Sequence, residues 1–402
     1  MTPEIKQRIE QIRRGEVPEG YQKTKDGIFP TDWHTQKMKQ WVALAERPVT
    51  LEDDKRYRLV TVRRGFGGVD LRGEYLGKDI LVKNYFRVRQ GDFLISKRQI
   101  AHGACGVVPE SLDGAVVSNE YNVFVPNQGT NIEMFNLMMQ LPHYTRLFYL
   151  MSDGVHIEKL LFKTQDWMRR QLAMPPIEEQ QKIAAILTTQ DKVIELKEKR
   201  LAEKQRQKKY LMQQLLTGKK RLPGFLKSWK TVELGEIFNY IQPTAYLVKT
   251  TDYDDSYKTP VLTAGKTFIL GYTNETEGVF TKVPVVIFDD FTTATKYVDF
   301  PFKVKSSAMK ILTIKDGISI VFAYEAMQLI KFTVGGHERH WISKYSCLTI
   351  DIPDIEEQTA IAKVLSAADR EIELLQQDIE QEKQKKKALM QLLLTGIVRV
   401  KT

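Results

Sequence analysis

Pro175-Pro176-Ile177-Glu178-Glu179-Gln180 stands near the middle of the chain, and Pro353-Asp354-Ile355-Glu356-Glu357-Gln358 repeats it 178 residues later. The same offset carries Ile183-Ala184 onto Ile361-Ala362, Leu187 onto Leu365, and Asp191 onto Asp369. It also carries Ile194-Glu195-Leu196 onto Ile372-Glu373-Leu374, and Leu211-Met212-Gln213 onto Leu389-Met390-Gln391. The match closes on Leu215-Leu216-Thr217-Gly218 and Leu393-Leu394-Thr395-Gly396, with about 20 of 42 ungapped positions identical. The chain therefore contains an internal repeat.

Each copy is predicted to be one long helix. Proline costs nothing at a helix start, and Asp354 can cap the second copy. Glu178-Glu179 and Glu356-Glu357 lie in the first turn, where the helix dipole favours acids. Gly218 and Gly396 are expected as the glycines that end each helix. Neither Pro nor Gly falls between these limits, so roughly 40 residues would make a rod on the order of 60 Å. In the second copy Ile361, Leu365, Ala368, Ile372, Leu375, Ile379, Leu389 and Leu393 follow a 4-3 alternation, interrupted by Glu382 and Lys386. In the first, Ile183, Leu187, Ile194, Leu201, Leu211 and Leu215 form the same seam, with Gln190, Lys197, Lys204 and Lys208 in the remaining places. Such a stripe needs a second helix to cover it. The two copies are expected to pack on each other as an antiparallel coiled coil with pseudo-twofold symmetry; the alternative is an intermolecular pair. The polar interruptions suggest a joint that is weaker there or shared with a partner.

Working outward from the rods, residues 31–172 precede the first helix and 223–352 precede the second. Phe29-Pro30-Thr31-Asp32-Trp33 and Pro223-Gly224-Phe225-Leu226-Lys227-Ser228-Trp229 open them alike, and little else matches. Runs such as Tyr57-Arg58-Leu59-Val60-Thr61-Val62, Gly91-Asp92-Phe93-Leu94-Ile95, Val283-Pro284-Val285-Val286-Ile287-Phe288 and Ser319-Ile320-Val321-Phe322 read as strands. The span 133–149 reads as a helix. The expected organisation is α+β: residues 1–30 as an N-terminal helix and lead-in, 31–172 and 223–352 as two globules, and 173–222 and 353–402 as the two helices. Two similar rods carrying two dissimilar globules would place two different readers at a fixed distance and in opposite orientation.

The balance of 60 Lys+Arg against 50 Asp+Glu, a formal charge of +10, favours a polyanionic partner. Between Lys192 and Arg221 there are 11 Lys/Arg and three Glu, a run that is either a solvated face or a stripe along phosphates. Two cysteines in unrelated contexts, no apolar leader and no apolar run near 20 residues lead to the expectation of a cytoplasmic protein without a membrane span.

The repeated Pro-Pro-Ile-Glu-Glu-Gln-x-x-Ile-Ala-x-x-Leu…Asp signature, from which the second copy departs with Pro353-Asp354, and the Leu-Leu-Thr-Gly closing each helix resemble the specificity (S) subunits of type I restriction–modification systems. Gly91-Asp92-Phe93-Leu94-Ile95-Ser96-Lys97-Arg98-Gln99 and Val117-Ser118-Asn119-Glu120-Tyr121 look like one version of that family's target-recognition domain. Thr259-Pro260-Val261-Leu262-Thr263-Ala264-Gly265 and Phe288-Asp289-Asp290-Phe291-Thr292 look like another. The resemblance implies that each globule reads one half of a bipartite, asymmetric sequence in double-stranded DNA. The helices would set the gap and dock two methyltransferase (M) subunits, which restriction/motor (R) subunits can join. It also implies no cofactor in this chain, with S-adenosylmethionine in the M subunit and ATP and Mg in the R subunit. The readings set against it are a structural coiled-coil adaptor of a DNA-processing complex, and the specificity subunit of a methyltransferase-nuclease without a separate motor.

A catalytic set is not found in the sequence. There is no Asn-Pro-Pro-Tyr/Phe and no G-x-x-x-x-G-K-[ST]. Arg63-Arg64-Gly65-Phe66-Gly67-Gly68 reads as a basic loop, and Asp289-Asp290 lacks the companion motif of a nuclease. His102-x-x-Cys105 and His337-x-x-His340 lack a companion pair for zinc. A non-catalytic chain is expected. Its DNA-contact candidates are Arg63, Arg64, Lys97, Arg98, Gln99 and Asn119 in the first globule. In the second they are Thr263, Lys266, Thr292, Thr293, Lys296, Lys310, Arg339 and His340. Arg and Lys can pair with guanine and Asn or Gln with adenine, while Thr and most Lys go to phosphate.

Overall fold

The computed structural model describes residues 2–25, 27–81, 84–154, 160–263, 267–332 and 340–400. Ile177–Leu215 and Ile355–Leu393 are helices of 39 residues each. At the start of the second, Asp354 Oδ1 accepts from the Glu357 backbone N–H at 3.0 Å, so Asp substitutes for the second proline of the first copy. That bond and the nearby Lys227 hold the Asp354 carboxyl below its usual range. Both helices end as expected: Gly218 and Gly396 take left-handed φ values of 65° and 72°.

The chain forms two compact units, residues 1–196 with 380–402, and residues 197–379. Each long helix gives one stretch to each unit. In the first unit, residues 177–196 and 380–393 run antiparallel. Ile183, Leu187, Ile194 and Leu393 are buried there, and Leu389 packs on the same cluster. Gln190 Nε2 donates to Glu382 Oε2 at 2.6 Å, and Lys386 pairs with Asp191 at 2.5 Å. In the second unit, residues 197–215 and 355–379 run antiparallel. Leu215, Ile361, Leu365 and Ile379 are buried, Leu211 packs on the same core, and Leu201, Ile372 and Leu375 are half-buried. Lys197 pairs with Asp378 at 2.8 Å, Lys204 with Glu371 at 2.9 Å and Lys208 with Asp369 at 2.7 Å. Every polar residue that interrupts the seam thus meets a partner on the opposite helix. Within each unit the helix pairing is intramolecular, and its polar positions are filled by partners across the pair and do not leave an unfilled apolar stripe.

In the first unit, a four-stranded sheet runs Cys105–Val107, Phe93–Ser96, Tyr121–Pro126, Val42–Leu44. A five-stranded sheet runs Pro48–Val49, Tyr85–Arg87, Val116–Ser118, Arg56–Val62, Val69–Leu76. Val60, Val62 and Val69 are buried in one core and Leu59 in another, with a register shift between Leu59 and Val60. Phe93 meets Phe135 edge-on at 5.3 Å, and Trp167 meets Phe124 at 5.4 Å, an aromatic core that closes over Ile183 and Leu187.

In the second unit, a four-stranded sheet runs Phe238–Ile241, Met309–Ile314, Val285–Asp289, Thr295–Val298, and a three-stranded sheet runs Ile269–Thr273, Thr259–Leu262, Lys303–Val304. Phe288, Trp341 and Tyr345 pack with centroids 4.8–6.0 Å apart, on the core that holds Ile361 and Leu365. One buried acid crosses from globule to helices. Glu325, 2% exposed, meets Lys208 Nζ at 3.0 Å, and Lys208 also holds Asp369. Burial pushes the Glu325 carboxyl above the usual range despite the opposing pull of Lys208.

Two local expectations change. The span 133–149 is two helices, Ile132–Met139 and Pro142–Leu150, because Pro142 can begin a helix but not continue one. The Ser319-Ile320-Val321-Phe322 run is the start of a helix, Ile320–Met327, and not a strand. Ser319 caps it by accepting from Phe322 N, and short apolar runs do not distinguish the two states.

The globules also share more than their opening tryptophans. Gln171–Met174 pairs antiparallel with His34–Lys37, and Thr349–Ile352 pairs likewise with Lys230–Glu233. Gln180 Oε1 accepts from Asn131 N at 2.8 Å, and Gln358 Oε1 accepts from Ser319 N at 2.9 Å. Asn131 and Ser319 are both N-caps of the helix that packs above, so the repeated glutamine anchors an equivalent helix in each globule. The N-terminal helix Pro3–Arg13 reaches the chain beyond the second long helix, where Arg8 Nη1 donates to Ile397 O at 2.6 Å.

Candidate nucleic-acid interface

In the first globule three loops lock together at one end of the five-stranded sheet. Residues 63–68 connect Arg56–Val62 to Val69–Leu76, residues 97–103 follow Phe93–Ser96, and residues 119–120 precede Tyr121–Pro126. Gly65 N donates to His102 O at 2.7 Å and Phe66 N to Gly103 O at 2.9 Å, tying the first loop to the second. Lys97 N donates to Glu120 O at 2.9 Å, tying the second to the third. The fit is close: a Cβ on Gly103 would lie 2.9 Å from the Phe66 ring.

These contacts bring Arg63, Arg64, Lys97, Arg98, Gln99 and Asn119 to one edge. Arg63, Arg64, Arg98 and Asn119 are exposed and Lys97 half-buried. Arg63 pairs with Asp70, and Arg98 Nε donates to Glu120 at 2.7 Å with both side chains about half exposed. Exposed pairs of this kind are held weakly enough to exchange a carboxylate for a base edge or phosphate. Gln99 is half-buried, and its Oε1 is a buried acceptor without a hydrogen-bond partner among the described residues. Asp92 of the Gly91-Asp92 motif is structural, since it is 2% exposed and accepts from Arg47 at 2.6 and 3.1 Å.

The second globule divides its candidates. Thr263 closes the strand Thr259–Leu262, its N–H donating to Phe268 O at 2.9 Å. Lys296, exposed on Thr295–Val298, sits with Nζ 5.9 Å from the centre of the same Phe268 ring, so one aromatic joins the two loops. Thr292 donates to Asp289, and Thr293 holds a left-handed φ of 57°, a strained turn that presents both threonines at the hairpin tip. Lys266 and Arg339 lie outside the described residues, as do Ala264-Gly265 and His337.

Lys310 and His340 leave the candidate set, because both are 0% exposed. Lys310 Nζ donates to Gln242 Oε1 at 2.9 Å and Ser307 O at 2.6 Å, with Asp290 Oδ2 at 3.8 Å. The Asp290 carboxylate accepts from Trp341 N–H at 2.9 Å and its main-chain O from His340 N–H, while the Asp289 carboxylate accepts from Phe291 N–H and the Thr292 hydroxyl. The Asp289-Asp290 carboxylates are thus absorbed by the fold. Cys105 is 1% exposed and burial pushes its thiol pKa up, the opposite of what a metal ligand needs. Among the described residues no group of three or more His, Cys, Asp or Glu could hold a metal ion, and no helix is long and apolar enough to cross a membrane.

Two equivalent arginines, one in each unit, lie outside the repeated motif. The offset of 178 continues past the closing glycines to Arg221 and Arg399. Arg399 donates to Glu179 at 2.9 and 2.7 Å and to Asp32 at 2.9 and 2.6 Å. Arg221 donates to Glu357, which also accepts from Trp229 Nε1 at 3.1 Å. The signal was present as a continued repeat beyond the helix end.

The sequence matches the family model of the type I restriction modification DNA specificity domain twice, over residues 51–205 and 227–384. It is 55% identical over 140 residues to the EcoR124I/EcoR124II specificity subunit of Escherichia coli, a match spanning 33% of this chain and 34% of that subunit. It is 25% identical over 427 residues to the putative MjaX specificity subunit of Methanocaldococcus jannaschii, covering 96% of this chain and 98% of that one. Among solved structures, an S subunit of a type I restriction–modification system from M. genitalium aligns with a TM-score of 0.63 at 13% identity, covering 92% of this chain and 97% of that one.

Proposed function

Because the chain belongs to the type I restriction–modification DNA specificity family, we propose that its two recognition domains read the two halves of one split, asymmetric DNA target. In this reading the chain does no chemistry. Double-stranded DNA is its ligand, two M subunits supply methyl transfer with S-adenosylmethionine, and R subunits with ATP and Mg join them. One observation carries the reading. Two globules with equivalent supports, Gln180 on Asn131 and Gln358 on Ser319, present unrelated exposed polar loops. Equal scaffolds with unequal loops suit a protein that places two different sequence readers.

The ion-paired helices suit a second role as spacer. Each is 39 residues without Pro or Gly, about 58 Å of continuous rise. The exposed side of the same helices is the surface proposed for the M subunits. The test is the methylome of the host with this gene intact and deleted. Loss of one asymmetric, two-part adenine motif is expected, and it would give both half-sequences and the gap. An unchanged methylome, with the M partner expressed and active, would reject DNA reading in favour of the adaptor.

A further inference from the structure

We infer that a cationic cleft on the first globule, at the end of the five-stranded sheet away from the Arg63–Arg64 loop, is a second seat for the DNA phosphate backbone. The cleft encloses ≈ 280 Å³ and its polar walls include Lys55, Arg56, Arg58 and Arg87, with Glu52 as the one carboxylate among the described lining residues. Arg58 Nη1 donates to Ser111 O at 2.7 Å and Nη2 to Asp113 O at 2.5 Å, and Arg87 Nη1 donates to Gly114 O at 3.3 Å. Backbone carbonyls orient a guanidinium without neutralising it. Neither arginine has a carboxylate partner among the described residues, nor has Arg56. Nearby Arg47 is different, because its charge is met by Asp92 at 2.6 Å. Lys55 meets Glu52 at 2.7 Å, with both side chains about 60% exposed, a contact that a phosphate can displace.

One wall of the cleft is tied to a neighbouring segment of the chain. The turn at residues 52–55 is strapped by Gly77, whose N–H donates to Lys55 O at 2.9 Å. A Cβ at Gly77 would fall 2.1 Å from Glu52 O, so the close approach needs glycine. Oriented, unpaired guanidinium groups beside a compact opening match the geometry of a phosphate oxygen set.

Its placement selects DNA as the source of that phosphate. Arg56 opens the seven-residue strand Arg56–Val62 and Arg63 follows it, so cleft and loop stand about 23 Å apart at 3.3 Å per residue. Val116 pairs with Leu59 in parallel, which sets Gly114 at the Arg56 end and Asn119 at the Arg63 end. A separation of about 23 Å corresponds to about seven steps along a duplex strand. One end of the sheet would then touch bases while the other holds the backbone. This inference rests on the reading of the first globule as a DNA-binding domain.

The test is the salt dependence of the full chain's affinity for a long non-specific duplex. Lys55→Gln/Arg56→Gln is compared with the charge-matched Lys23→Gln/Lys39→Gln, and all four positions are exposed. The first pair is expected to flatten the slope of log K against log salt by about 0.9 per lost contact, and the second to leave it unchanged. Equal slopes for both pairs overturn the cleft. A wild-type chain without DNA affinity overturns the recognition reading itself, a result distinct from wild-type binding with no effect at Lys55 and Arg56. Calorimetry with inorganic pyrophosphate separates the sources: saturable binding abolished by Arg56→Gln, with the DNA slope unchanged, overturns DNA in favour of a small phosphate ligand.

Discussion

Arg399 closes on Glu179, 220 residues earlier in the chain, and the carboxylate it holds is 1% exposed. Glu179 begins the first long helix, and Arg399 follows the end of the second. The repeat-equivalent pair Arg221 and Glu357 does the same with the helices exchanged. The neighbouring carboxylates hold Arg399 firmly protonated, and its hydrogen bonds hold Asp32 below the usual carboxylate range.

Arg399→Ala is therefore expected to destabilise the first unit, because it strands a buried carboxylate. A cost of about 2–3 kcal/mol follows for an uncompensated charge, moderated because Arg399 itself is 36% exposed. Urea unfolding checks this. Glu179→Gln should lose less, since an amide can sit there neutral, and equal losses would refute the stranded-charge account.

The helix seam has a strong end and a charged middle. Leu365→Ala, at a site with 0% exposure, should cost about 2–5 kcal/mol. Leu375→Ala, half-buried beside the Lys197–Asp378 and Lys204–Glu371 pairs, should cost roughly 1 kcal/mol and leave the sedimentation of the chain unchanged. Melting and sedimentation of the two variants decide it. Similar costs would mean that the middle is apolar in its energetics.

Glu325 offers a pH test. Counting from the equivalent caps Asn131 and Ser319, its counterpart in the first globule is Leu137, 3% exposed. Since burial raises the Glu325 pKa, the folded chain keeps a proton that the unfolded chain releases near pH 4.3. Stability from this group is then lost as pH rises through the raised value. Glu325→Leu should have little effect near pH 4 and be stabilising by about 1 kcal/mol at pH 8. Thermal melts across that range read the difference, and a variant less stable at both ends would contradict it.

Base reading and fold support separate at two cations of opposite exposure. Arg98→Ala should relax one position in one half of the methylated motif, a discrimination of about 1–3 kcal/mol. Lys310→Met should leave the motif unchanged and lower the melting temperature, because its ammonium is used inside the core. A uniform loss of methylation at all sites in Arg98→Ala would reassign that residue to phosphate.

The rods were legible because 39 residues of unbroken periodicity and a duplicated signature leave few alternatives. Their polar interruptions were visible too, but their partners were not, since Lys204 and Glu371 meet only once the antiparallel register is known. The first globule's candidate edge was legible as basic loops in sequence, and backbone bonds such as Gly65 to His102 bring the loops together. Lys310 and His340 were misread because charge suggests exposure, whereas their burial depends on residues far away in sequence, Gln242 for Lys310 and Asp290 for His340. The common scaffold of the two globules was hidden because its anchors, Gln180 and Gln358, act on backbone groups, and backbone leaves no residue signature.

The order in which residues leave the ribosome gives the split of each helix a further meaning. Residues 197–379 are contiguous, so the second unit can finish folding as soon as they emerge. The first unit must wait, because Leu393, Leu394 and Arg399 belong to its core and latch. At about 5–20 residues per second, its first globule stands for roughly 10–40 s with the ends of Ile183 and Leu187 uncovered. A nascent chain of this design folds last what it made first, and during that interval a chaperone, or a complementary helix from another molecule, has access to that bare surface.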